Sequence, residues 1–375
     1  MRIPRTLAIV LAGGKGSRLG SLTDHTVKPA LPFAGTYRLI DIALSNLAHS
    51  HLSDVWIAEQ YLPHSLNDHL AQGRPWDLDR LHGGLQVLAP FEGASGEGLA
   101  HGNSDTLWRH RDRIRGFGAD HVVVLSADHV YTCDFLDVLA THTTSDADLT
   151  VVTTRVEEDP SAYAVIEVDA DGLVTGFSYK PDEPTGDLVA AEVFVYRAQV
   201  LLDALDELGG TDGGLGDYGE DLLPHLVATR RVVEHRLEGY WRDLGTIDSY
   251  WLAHMELLDG TGATLDDPAW PIWTAQPQLL PARLEPTASV AGSLVSSGSR
   301  VAGTVEHSVL GPGTVVEEGA TVLDSVVLEG ARIGSGVELV RCVVAAGAQV
   351  TGGSRRGRDA AITLIGRDGT ITDRA

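Results

Sequence analysis

Three lysines are present among the 375 residues of the chain, and each lies in a motif suited to binding phosphate. Lys15 lies in LAGGKGSRL, Lys28 in HTVKPAL and Lys180 in FSYKPDE, while the other 25 basic residues are arginine. Lysine is a compact point charge on a slim stem, whereas arginine is a planar fork. Because the chain otherwise uses arginine as its basic residue, each remaining lysine predicts a contact with a phosphate oxygen at a place where a guanidinium does not fit. Chance is the alternative, and for Lys15 the two interpretations have equal weight.

A glycine-rich loop follows the first apolar run and predicts a site for a triphosphate. Gly13, Gly14 and Gly16 let the backbone approach phosphate oxygens closely and direct its N–H groups at them. Arg18 adds a forked cation for the outer phosphates. The spacing fits neither a Walker A loop nor the dinucleotide fingerprint, so a tight turn without a ligand is the alternative.

Two carboxylates are candidates for a shared metal ion. Asp128 follows the apolar run HVVVL in the segment SADHVY, and Asp243 lies in YWRDLGT. A carboxylate at the end of a strand points into the ligand crevice of an α/β fold. It suits Mg²⁺, which binds one or two carboxylates together with substrate phosphates. For Asp128 the alternative is a plain helix cap.

The apolar runs up to about residue 255 predict an α/β domain with a mostly parallel sheet. The clearest strands are TLAIVLA, DVWIAEQ, HVVVLSAD, DLTVVTT and AEVFVY. Amphipathic helices are expected between them, at Tyr37–His49, Ser104–Arg115 and Phe135–Thr144. In such a domain, ligands bind at the carboxyl ends of the strands.

The residues after 290 follow a six-residue period, which predicts a left-handed parallel β-helix. The apolar positions of this period are Leu310, Val316, Val322, Leu328, Ile333 and Leu339. An antiparallel sheet, the alternative, alternates by two residues instead. The predicted organisation is therefore a first domain at 1–256, a linker at 257–289, the β-helix at 290–352 and a tail at 353–375.

The composition argues against several classes of partner. A formal charge of −24 repels nucleic acids and anionic membrane surfaces. Cys133 and Cys342 lie far apart without metal or disulfide spacing, as expected in a reducing cytoplasm. The apolar run near the start ends in the glycine loop rather than in a cleavage pattern, and no later segment reaches membrane-spanning length. These features predict a cytoplasmic chain without a membrane or nucleic-acid partner.

Taken together and in this order, the motifs resemble one family, the ADP-glucose pyrophosphorylases or glucose-1-phosphate adenylyltransferases. The resemblance runs through nearly the whole chain and includes the blocks YRLIDIALSN, EQYLPHSL, HGNSDTL, VVVLSADHVYTCDF, YWRDLGTIDSYW and WPIWT. It implies a Rossmann-like nucleotidyltransferase domain followed by the β-helix. It also implies a reaction in which a sugar-1-phosphate oxygen attacks the α-phosphorus of a nucleoside triphosphate (NTP), releasing pyrophosphate, with Mg²⁺ as cofactor.

The resemblance also implies roles for individual residues. By this likeness Arg18, Lys28 and Asp128 are catalytic, and Asp128 and Asp243 hold Mg²⁺. Lys180 binds the phosphate of the sugar. The residues implied to contact the nucleotide are Leu11, Ala12, Gly13, Gly14, Lys15, Gly16, Gln60, which faces the base, and Gly102. Because the attacking phosphate is already ionised at neutral pH, catalysis needs alignment and charge neutralisation rather than a general base.

The sugar pocket departs from the family pattern. The four positions implied to contact the acceptor ring carry residues that the family does not have there, namely Ala100, Ala164, Tyr179 and Ala190. A pocket that loses hydroxyl partners loses affinity for glucose. We therefore predict a glucose-like cyclitol phosphate, such as valienol 1-phosphate, as the acceptor, with an NTP as the donor, the choice among ATP, GTP and another NTP being left open. The alternative is an ordinary glucose-1-phosphate adenylyltransferase that uses ATP.

The likeness also bears on regulation and assembly. Thr36, Ser53 and Asp54 stand where the family has basic residues of its effector site, which predicts a weak response to sugar bisphosphates. A homotetramer or another homo-oligomer is expected. A non-catalytic regulatory subunit is the alternative from another class, although the chain keeps the phosphate and metal residues. An acyltransferase would need a histidine base in the repeats, where His307 is the only histidine after residue 290.

Overall fold

The computed structural model describes residues 4–14, 16–90, 99–210, 215–352, 355–357 and 361–373. The strands of the first part are β1 (Thr6–Ala12), β2 (Pro32–Phe33), β3 (Tyr37–Arg38), β4 (Asp54–Glu59), β5 (Gly84–Leu88), β6 (His121–Ser126), β7 (His129–Tyr131), β8 (Leu149–Arg155), β9 (Ala164–Val168), β10 (Val174–Tyr179), β11 (Leu188–Arg197), β12 (Val232–Arg236) and β13 (Trp241–Asp243). Its helices are α1 (Leu39–His49), α2 (Pro63–Leu70), α3 (Asn103–Arg109), α4 (Arg111–Phe117), α5 (Phe135–Thr144), α6 (Ala198–Gly209), α7 (Leu222–Thr229) and α8 (Ile247–Asp259). Short 3₁₀ helices lie at Ser17–Thr23, Lys28–Ala30, Ala71–Trp76 and Pro160–Ala162.

The second part consists of short strands. They are β14 (Arg283–Leu284), β15 (Ser289–Ala291), β16 (Leu294–Val295), β17 (Arg300–Val301), β18 (Thr304–Glu306), β19 (Val309–Leu310), β20 (Val315–Val316), β21 (Thr321–Leu323), β22 (Val326–Val327), β23 (Arg332–Ile333), β24 (Glu338–Val340), β25 (Cys342–Val344), β26 (Gln349–Val350), β27 (Arg355–Arg356), β28 (Thr363–Ile365) and β29 (Ile371–Asp373).

A nine-stranded sheet forms the centre of the first part. Seven strands follow the order β10-β9-β11-β6-β1-β4-β5, while β8 joins β11 to β12. β1 runs parallel to β4 and β6, and β4 runs parallel to β5. β11 runs antiparallel to β6 and β8, and the short connection between β9 and β10 makes that pair antiparallel as well. The predicted Rossmann-like α/β domain is confirmed, with an antiparallel part added to its parallel strands.

β1 is buried on both faces, which explains its unbroken apolar sequence. Leu7 and Ile9 pack in the hydrophobic cluster on one face of the sheet, and Ala8 and Val10 pack in the cluster on the other. A strand covered on both faces needs no alternation of polar residues. Because β1, β4 and β6 are parallel neighbours, the loops that follow their carboxyl ends lie side by side at one edge of the sheet.

The three predicted helices are found, but one begins later than expected and one is divided in two. α1 begins at Leu39, two residues later than expected, because the residues before it form β3 against β2. The helix expected over Ser104–Arg115 is split into α3 and α4, which meet at His110, where the backbone leaves helical geometry (φ −95°, ψ 1°). The helix expected over Phe135–Thr144 is α5.

The second part winds into three parallel sheets, as the six-residue period predicts. Their orders are β14-β17-β20-β23-β26, β15-β18-β21-β24-β27 and β16-β19-β22-β25-β28-β29, the last strand being antiparallel. Val301 pairs with Val316, and Val316 pairs with Ile333, so successive coils are 15 and 17 residues long. Each coil therefore has three sides of about five or six residues.

The interior of this β-helix differs from the prediction at one position. The predicted residues that lie inside are Leu310, Val316, Val322, Ile333 and Leu339. Val327 rather than Leu328 completes the set, because Val327 pairs with Leu310 on the neighbouring coil. Leu328 packs instead in the cluster that joins the β-helix to α8. One side of this coil has five residues, so a strict count of six misses the interior residue by one.

The segment between the two parts is held against α1. The Trp270 indole N–H donates to the Asn46 side-chain oxygen at 2.8 Å. The backbone N–H of Trp273 donates to the Ser45 hydroxyl oxygen at 2.9 Å. β14 begins at Arg283, inside the predicted linker, and the domain boundaries themselves stay predictions. These contacts fix the path by which the chain crosses from α8 to the β-helix.

The described residues bear on the membrane and cysteine predictions. No helix in the described ranges is long and apolar enough to cross a membrane. Cys133 and Cys342 are buried free thiols. Burial raises the pKa of the Cys133 thiol to about 12, which keeps it protonated and unreactive.

A buried histidine links the stability of the α8 region to pH. Nδ1 of His254 lies 2.7 Å from the Tyr250 carbonyl oxygen, and Nε2 lies 3.1 Å from the Ala34 nitrogen. The ring is therefore neutral, since Nδ1–H donates and Nε2 accepts. Burial lowers the pKa of His254 from 6.5 to about 4, against the effect of its bond to Tyr250. The unfolded chain takes up the proton first, so this stability is complete above pH 6.5 and is lost as the pH falls through about 4.

We expect a His254→Gln variant to lose less stability on acidification than the parent chain. Between pH 7 and pH 4 the two losses should differ by about 3 kcal/mol, because one pKa unit corresponds to about 1.4 kcal/mol. Urea unfolding at a series of pH values measures both, with the exposed His64→Gln as the control. The same pH dependence in the parent and in His254→Gln would contradict this assignment.

Candidate active site

The glycine-rich loop lies at the carboxyl end of β1 and reaches two sides of the crevice. Gly13 lies against the Gln60 side chain, since a Cβ on Gly13 would come within 3.1 Å of it. Gly16 has a φ of 64°, and a Cβ there would lie 3.3 Å from the Cβ of Lys28. The positive φ favours glycine at this turn. Lys15 lies outside the described residues.

Lys28 begins a short 3₁₀ helix, and its side chain is only 8% exposed. Its Nζ lies 2.7 Å from Asp128 Oδ2 and 2.8 Å from Asp243 Oδ1. A single buried ammonium group thus joins the two carboxylates that the sequence predicts as metal ligands.

A two-stranded ribbon brings these carboxylates together. β7 and β13 pair antiparallel, with His129 opposite Asp243. Asp128 directly precedes β7, just beyond the end of β6, and accepts a hydrogen bond from the Ser126 hydroxyl. Two acids that are far apart in the sequence therefore lie at the edge where the parallel strands end.

The charges around Lys28 keep both acids ionised. Burial acts to raise the pKa of Asp243, but Lys28 and His129 hold it well below its usual range. The pKa of Asp128 is lowered by the same two cations against burial. The pKa of Lys28 is raised by the two acids, although burial acts to lower it. Burial also acts to lower the pKa of His129, but its hydrogen bond to Asp243 and the neighbouring acids, including Glu192, raise it to about 9.

This donor set fits a hard divalent cation. Asp128 and Asp243 offer ionised oxygen ligands, the kind that such cations prefer. A second grouping of Asp128, His129 and Glu192 also brings one ligand atom of each residue within 4.8 Å of the others. Its imidazole nitrogen suits softer metals better than the oxygen pair does. The pair of aspartates is therefore the better candidate for a cation that works together with phosphate oxygens.

Arg18 lies beside the same carboxylates. A Cβ added to Gly245 would be 3.0 Å from Arg18 Nη2 and 2.7 Å from Asp243 Oδ2. Gly245 therefore has no room for a side chain between the guanidinium and the acid. The Arg18 side chain is exposed, so its charge faces the open crevice.

A cavity of about 420 Å³ lies on the other side of the glycine loop. Gln60 Nε2 donates to the Thr106 hydroxyl at 2.7 Å, and this hydroxyl donates to the Gly102 carbonyl at 2.9 Å. Gly102 packs directly on the backbone of Gly216, where an added Cβ would come within 2.3 Å. The predicted site residues that line this cavity are Leu11, Gly13, Gly14, Gln60, Ala100 and Gly102. Ala12 is buried at the end of β1 behind them.

The acceptor residues predicted from the sequence fall into two groups. Ala100 lines the cavity beside Gln60. Ala164 and Ala190 are buried in the antiparallel part of the sheet, where Ala164 pairs with Tyr179. Lys180 directly follows Tyr179 at the end of β10. The structure therefore places Tyr179 and Ala164 next to Lys180, while Ala190 lies on β11 and Ala100 lies beside Gln60.

Tyr179 links Lys180 to an acid that the sequence analysis did not single out. Lys180 Nζ donates to the Tyr179 hydroxyl oxygen at 2.7 Å, and this hydroxyl donates to Asp217 Oδ2 at 2.7 Å. Lys180 Nζ also lies 4.4 Å from the centre of the Tyr179 ring. The ring packs on Gly219, where an added Cβ would come within 2.1 Å. The Lys180 ammonium group is thus held by the Tyr179 phenol, and the phenol is held in turn by Asp217.

Sequence reasoning missed His129, Glu192 and Asp217. His129 is within 3.5 Å of Asp243, and its signal was its place next to Asp128. Glu192 is a lone acid within the apolar strand AAEVFVY, and Asp217 lies in the run GDYGED before α7. A single charge inside an apolar strand is the kind of local inconsistency that marks functional sites.

The positions predicted for an altered effector site lie apart from one another. Thr36 lines a cavity of about 390 Å³ between the first domain and the β-helix, while Ser53 and Asp54 lie at the start of β4. Arg38, which lines the same cavity as Thr36, is paired with Glu329 at 3.1 Å. A weak response to sugar bisphosphates stays a prediction.

The His307 ring contacts an acid through each of its two nitrogens. Its Nδ1 lies 2.7 Å from Asp324 Oδ1, and its Nε2 lies 3.1 Å from Asp259 Oδ1. A general base needs one ring nitrogen directed at its substrate. Nδ1 instead faces Asp324 within the β-helix, and Nε2 faces Asp259 at the end of α8, which disfavours the acyltransferase alternative.

Comparison with known proteins shows similarity over both parts of the chain. The family described as Nucleotidyl transferase matches residues 7–260. The family described as GlmU-like, C-terminal hexapeptide, matches residues 279–364. The confirmed features are thus the nucleotidyltransferase domain and the hexapeptide β-helix that follows it.

Several curated relatives carry the same name. The glucose-1-phosphate adenylyltransferase of Thermomicrobium roseum is 40% identical over 293 residues, covering 77% of this chain and 68% of that protein. The one from Clostridium acetobutylicum is 36% identical over 313 residues, covering 83% of this chain and 82% of that protein. The one from Acetivibrio thermocellus is 33% identical over 383 residues, covering 98% of this chain and 90% of that protein.

Proposed function

Because the chain belongs to the glucose-1-phosphate adenylyltransferase family of sugar-phosphate nucleotidyltransferases, we propose that it joins ATP and glucose 1-phosphate to give ADP-glucose and pyrophosphate. The observation that carries this proposal is the buried Lys28 between Asp128 and Asp243, beside the glycine loop. It combines a place for phosphates with a pair of ionised carboxylates at the edge where α/β folds bind ligands.

In the proposed reaction, an oxygen of the acceptor's phosphate attacks the α-phosphorus of ATP. A new phosphorus–oxygen bond forms as the bond from the α-phosphorus to the β-phosphate's bridging oxygen breaks, and pyrophosphate leaves. The attacking oxygen is already ionised, so no proton has to be removed. Mg²⁺, when held by Asp128 and Asp243, would supply charge for the α-phosphate and the leaving group.

The chain's own residues align the two substrates. Arg18 faces the open crevice beside Asp243 and offsets the charge of the outer phosphates. The loop N–H groups from Gly13 to Gly16 receive the triphosphate. Lys180 anchors the acceptor phosphate on the opposite side, where the Tyr179 hydroxyl fixes its ammonium group. Alignment of this kind supplies a large share of the rate in phosphoryl transfer.

Glucose 1-phosphate is preferred to the cyclitol phosphate as the proposed acceptor for two reasons. The relatives are named for glucose 1-phosphate. The acceptor side also keeps carboxylates able to accept hydrogen bonds from ring hydroxyls, since Glu192 lies next to His129 and Asp217 lies between Tyr179 and the cavity beside Gln60. These acids would offset the loss of hydroxyl partners expected from the alanine positions.

Valienol 1-phosphate, a glucose-like cyclitol phosphate, is the second candidate acceptor. The observation in its favour is the Tyr179 ring beside Lys180, because a flattened unsaturated ring can lie against an aromatic face. With this acceptor, GTP is the alternative donor.

Pyrophosphate release decides between the candidates. Four NTPs are tested in pairs with glucose 1-phosphate and valienol 1-phosphate, and kcat/KM is measured for each productive pair. We expect ATP with glucose 1-phosphate to have the highest value, by about tenfold, which corresponds to about 1.4 kcal/mol. A higher value with valienol 1-phosphate would select the second candidate. No release with any pair would instead favour a non-catalytic subunit.

We also propose a homo-oligomer, and a tetramer by family likeness. Its support is the group of exposed leucines on and before the first β-helix coil, namely Leu279, Leu280, Leu284 and Leu294. Exposed apolar side chains near the start of the β-helix favour contact with another copy. A monomer at micromolar concentration in light scattering would contradict the proposal.

A further inference from the structure

Glu192 lies in a strained backbone conformation at the acceptor side of the crevice. Its φ is 56°, in the left-handed region that glycine adopts freely and glutamate does not. The pairing of β11 with β8 shifts register between Ala190 and Phe194, and this irregularity turns Glu192 out of the strand's alternation. Backbone strain of this kind clusters at active sites and ligand clamps, so it supports a functional hypothesis for Glu192 where its side chain also faces the crevice.

The side chain points into the crevice rather than into the core. Ala191 and Val193 on either side are 0% and 1% exposed, whereas the Glu192 side chain is 35% exposed. The ladder between β11 and β6 ends at the pair of Val193 and Leu125, so Glu192 lies one residue beyond it. Its Oε2 is 3.9 Å from His129 Nε2, next to the carboxylate pair.

Glu192 also borders the side of the crevice that holds Lys180. Burial is the largest cause of the raised pKa of both Glu192 and Tyr218, and the Tyr218 hydroxyl lies close enough to the Glu192 carboxylate for the two groups to shift each other's pKa as well. The Tyr218 ring lies 6.3 Å from the ring of Tyr179, which in turn bonds to Lys180. The carboxylate therefore lies between the group that surrounds Lys28 and the lysine that anchors the acceptor phosphate.

We propose that Glu192 determines acceptor specificity by accepting hydrogen bonds from ring hydroxyls of the sugar phosphate. This inference rests on the proposed function, because it takes Lys180 as the anchor of the acceptor phosphate. A carboxylate has about four lone-pair sites, so Glu192 has capacity for a vicinal pair of hydroxyls even beside the Tyr218 hydroxyl. Neither alanine near Lys180, Ala164 or Ala190, offers such an acceptor.

Deoxy analogues separate this role from a structural one. Binding of glucose 1-phosphate and its 2-, 3-, 4- and 6-deoxy analogues is measured by calorimetry with the parent chain and with Glu192→Ala, Glu192→Gln and Glu192→Gly. Glu192→Ala should weaken the binding of glucose 1-phosphate about 10- to 100-fold, while the binding of ATP stays unchanged. At least one deoxy analogue should bind the parent chain as weakly as glucose 1-phosphate binds Glu192→Ala. The affinity for that analogue should not fall further in Glu192→Ala. Glu192→Gln, which keeps one acceptor oxygen, should fall between.

Two further variants control for the fold. Glu192→Gly removes the backbone strain, so its melting temperature should equal or exceed that of the parent while its acceptor binding is as weak as that of Glu192→Ala. The exposed Glu318→Ala should change neither quantity. A lower melting temperature in Glu192→Gly together with weaker binding of both substrates would assign Glu192 a structural role and overturn the inference.

The remaining outcomes distinguish this inference from the proposed function. If Glu192→Ala lost the same affinity for glucose 1-phosphate and for every deoxy analogue, or lost none, the hydroxyl contact would be overturned. Pyrophosphate release by the parent chain, and with it the proposed function, would be unaffected by that result. Tighter binding of glucosamine 1-phosphate, lost in Glu192→Ala, would overturn the hydroxyl contact in favour of an ammonium contact. Glu192-dependent binding of glucose 1-phosphate without pyrophosphate release from any NTP would defeat the proposed function alone.

Discussion

Replacing Asp243 with Asn is expected to lower kcat about a thousandfold while the chain stays folded. The reason for the loss is that one of the two ionised carboxylates proposed to hold the divalent cation becomes neutral. Metal-derived stabilisation of transition-state charge amounts to several kcal/mol, and each 1.4 kcal/mol or so is a factor of ten. The fold should survive because Lys28 keeps its contact with Asp128 at 2.7 Å. Pyrophosphate release and thermal unfolding measure the two effects separately.

The matched control for this variant is Asp248→Asn, five residues further on and exposed at the start of α8. It makes the same chemical change outside the crevice and should leave kcat within about twofold, since exposed substitutions away from special features have small effects. Asp128→Asn should resemble Asp243→Asn. An Asp243→Asn variant with near-parental kcat would remove Asp243 from the metal site.

The parts of this fold that could be predicted from the sequence are those encoded locally. β1 can be recognised in the sequence because a strand that is buried on both faces has a continuous apolar run. Asp128 could be placed at the ligand edge because it directly follows such a run. The hexapeptide period predicts the β-helix because every coil needs apolar residues at its interior positions. One side of a coil has five residues instead of six, so the interior residue there is Val327 and not Leu328.

The rest depends on contacts between distant segments. The motifs of the sequence suggest Asp128 and Asp243 as partners but do not show how they meet, whereas the structure joins them through the ribbon of β7 and β13. Glu192 escaped notice because its direction is set by a register shift between β11 and β8. The acid near Tyr179, Asp217, lies on a loop from another part of the chain. Polar partners of this kind are selected by tertiary geometry and leave no periodic pattern.

The two lysines that the structure describes differ in what their removal should do. Lys180 is exposed, and its bond is to the Tyr179 hydroxyl. Lys28 is buried between two ionised acids. Lys180→Met should therefore change the free energy of unfolding by no more than about 0.5 kcal/mol. It should nevertheless raise the KM for the acceptor. It serves as the matched stability control for the same substitution at Lys28.

Lys28→Met is expected to lower the free energy of unfolding by about 3–5 kcal/mol and to abolish most turnover. The stability is lost because Asp128 and Asp243 remain buried without the cation they share, and removing one partner of a buried ion pair has an effect of this size. Adding Asp243→Asn should restore part of the stability, since only one uncompensated acid remains, but none of the turnover. Urea unfolding of the single and double variants tests the coupling. Strictly additive losses would show that Lys28 does not hold the acids together.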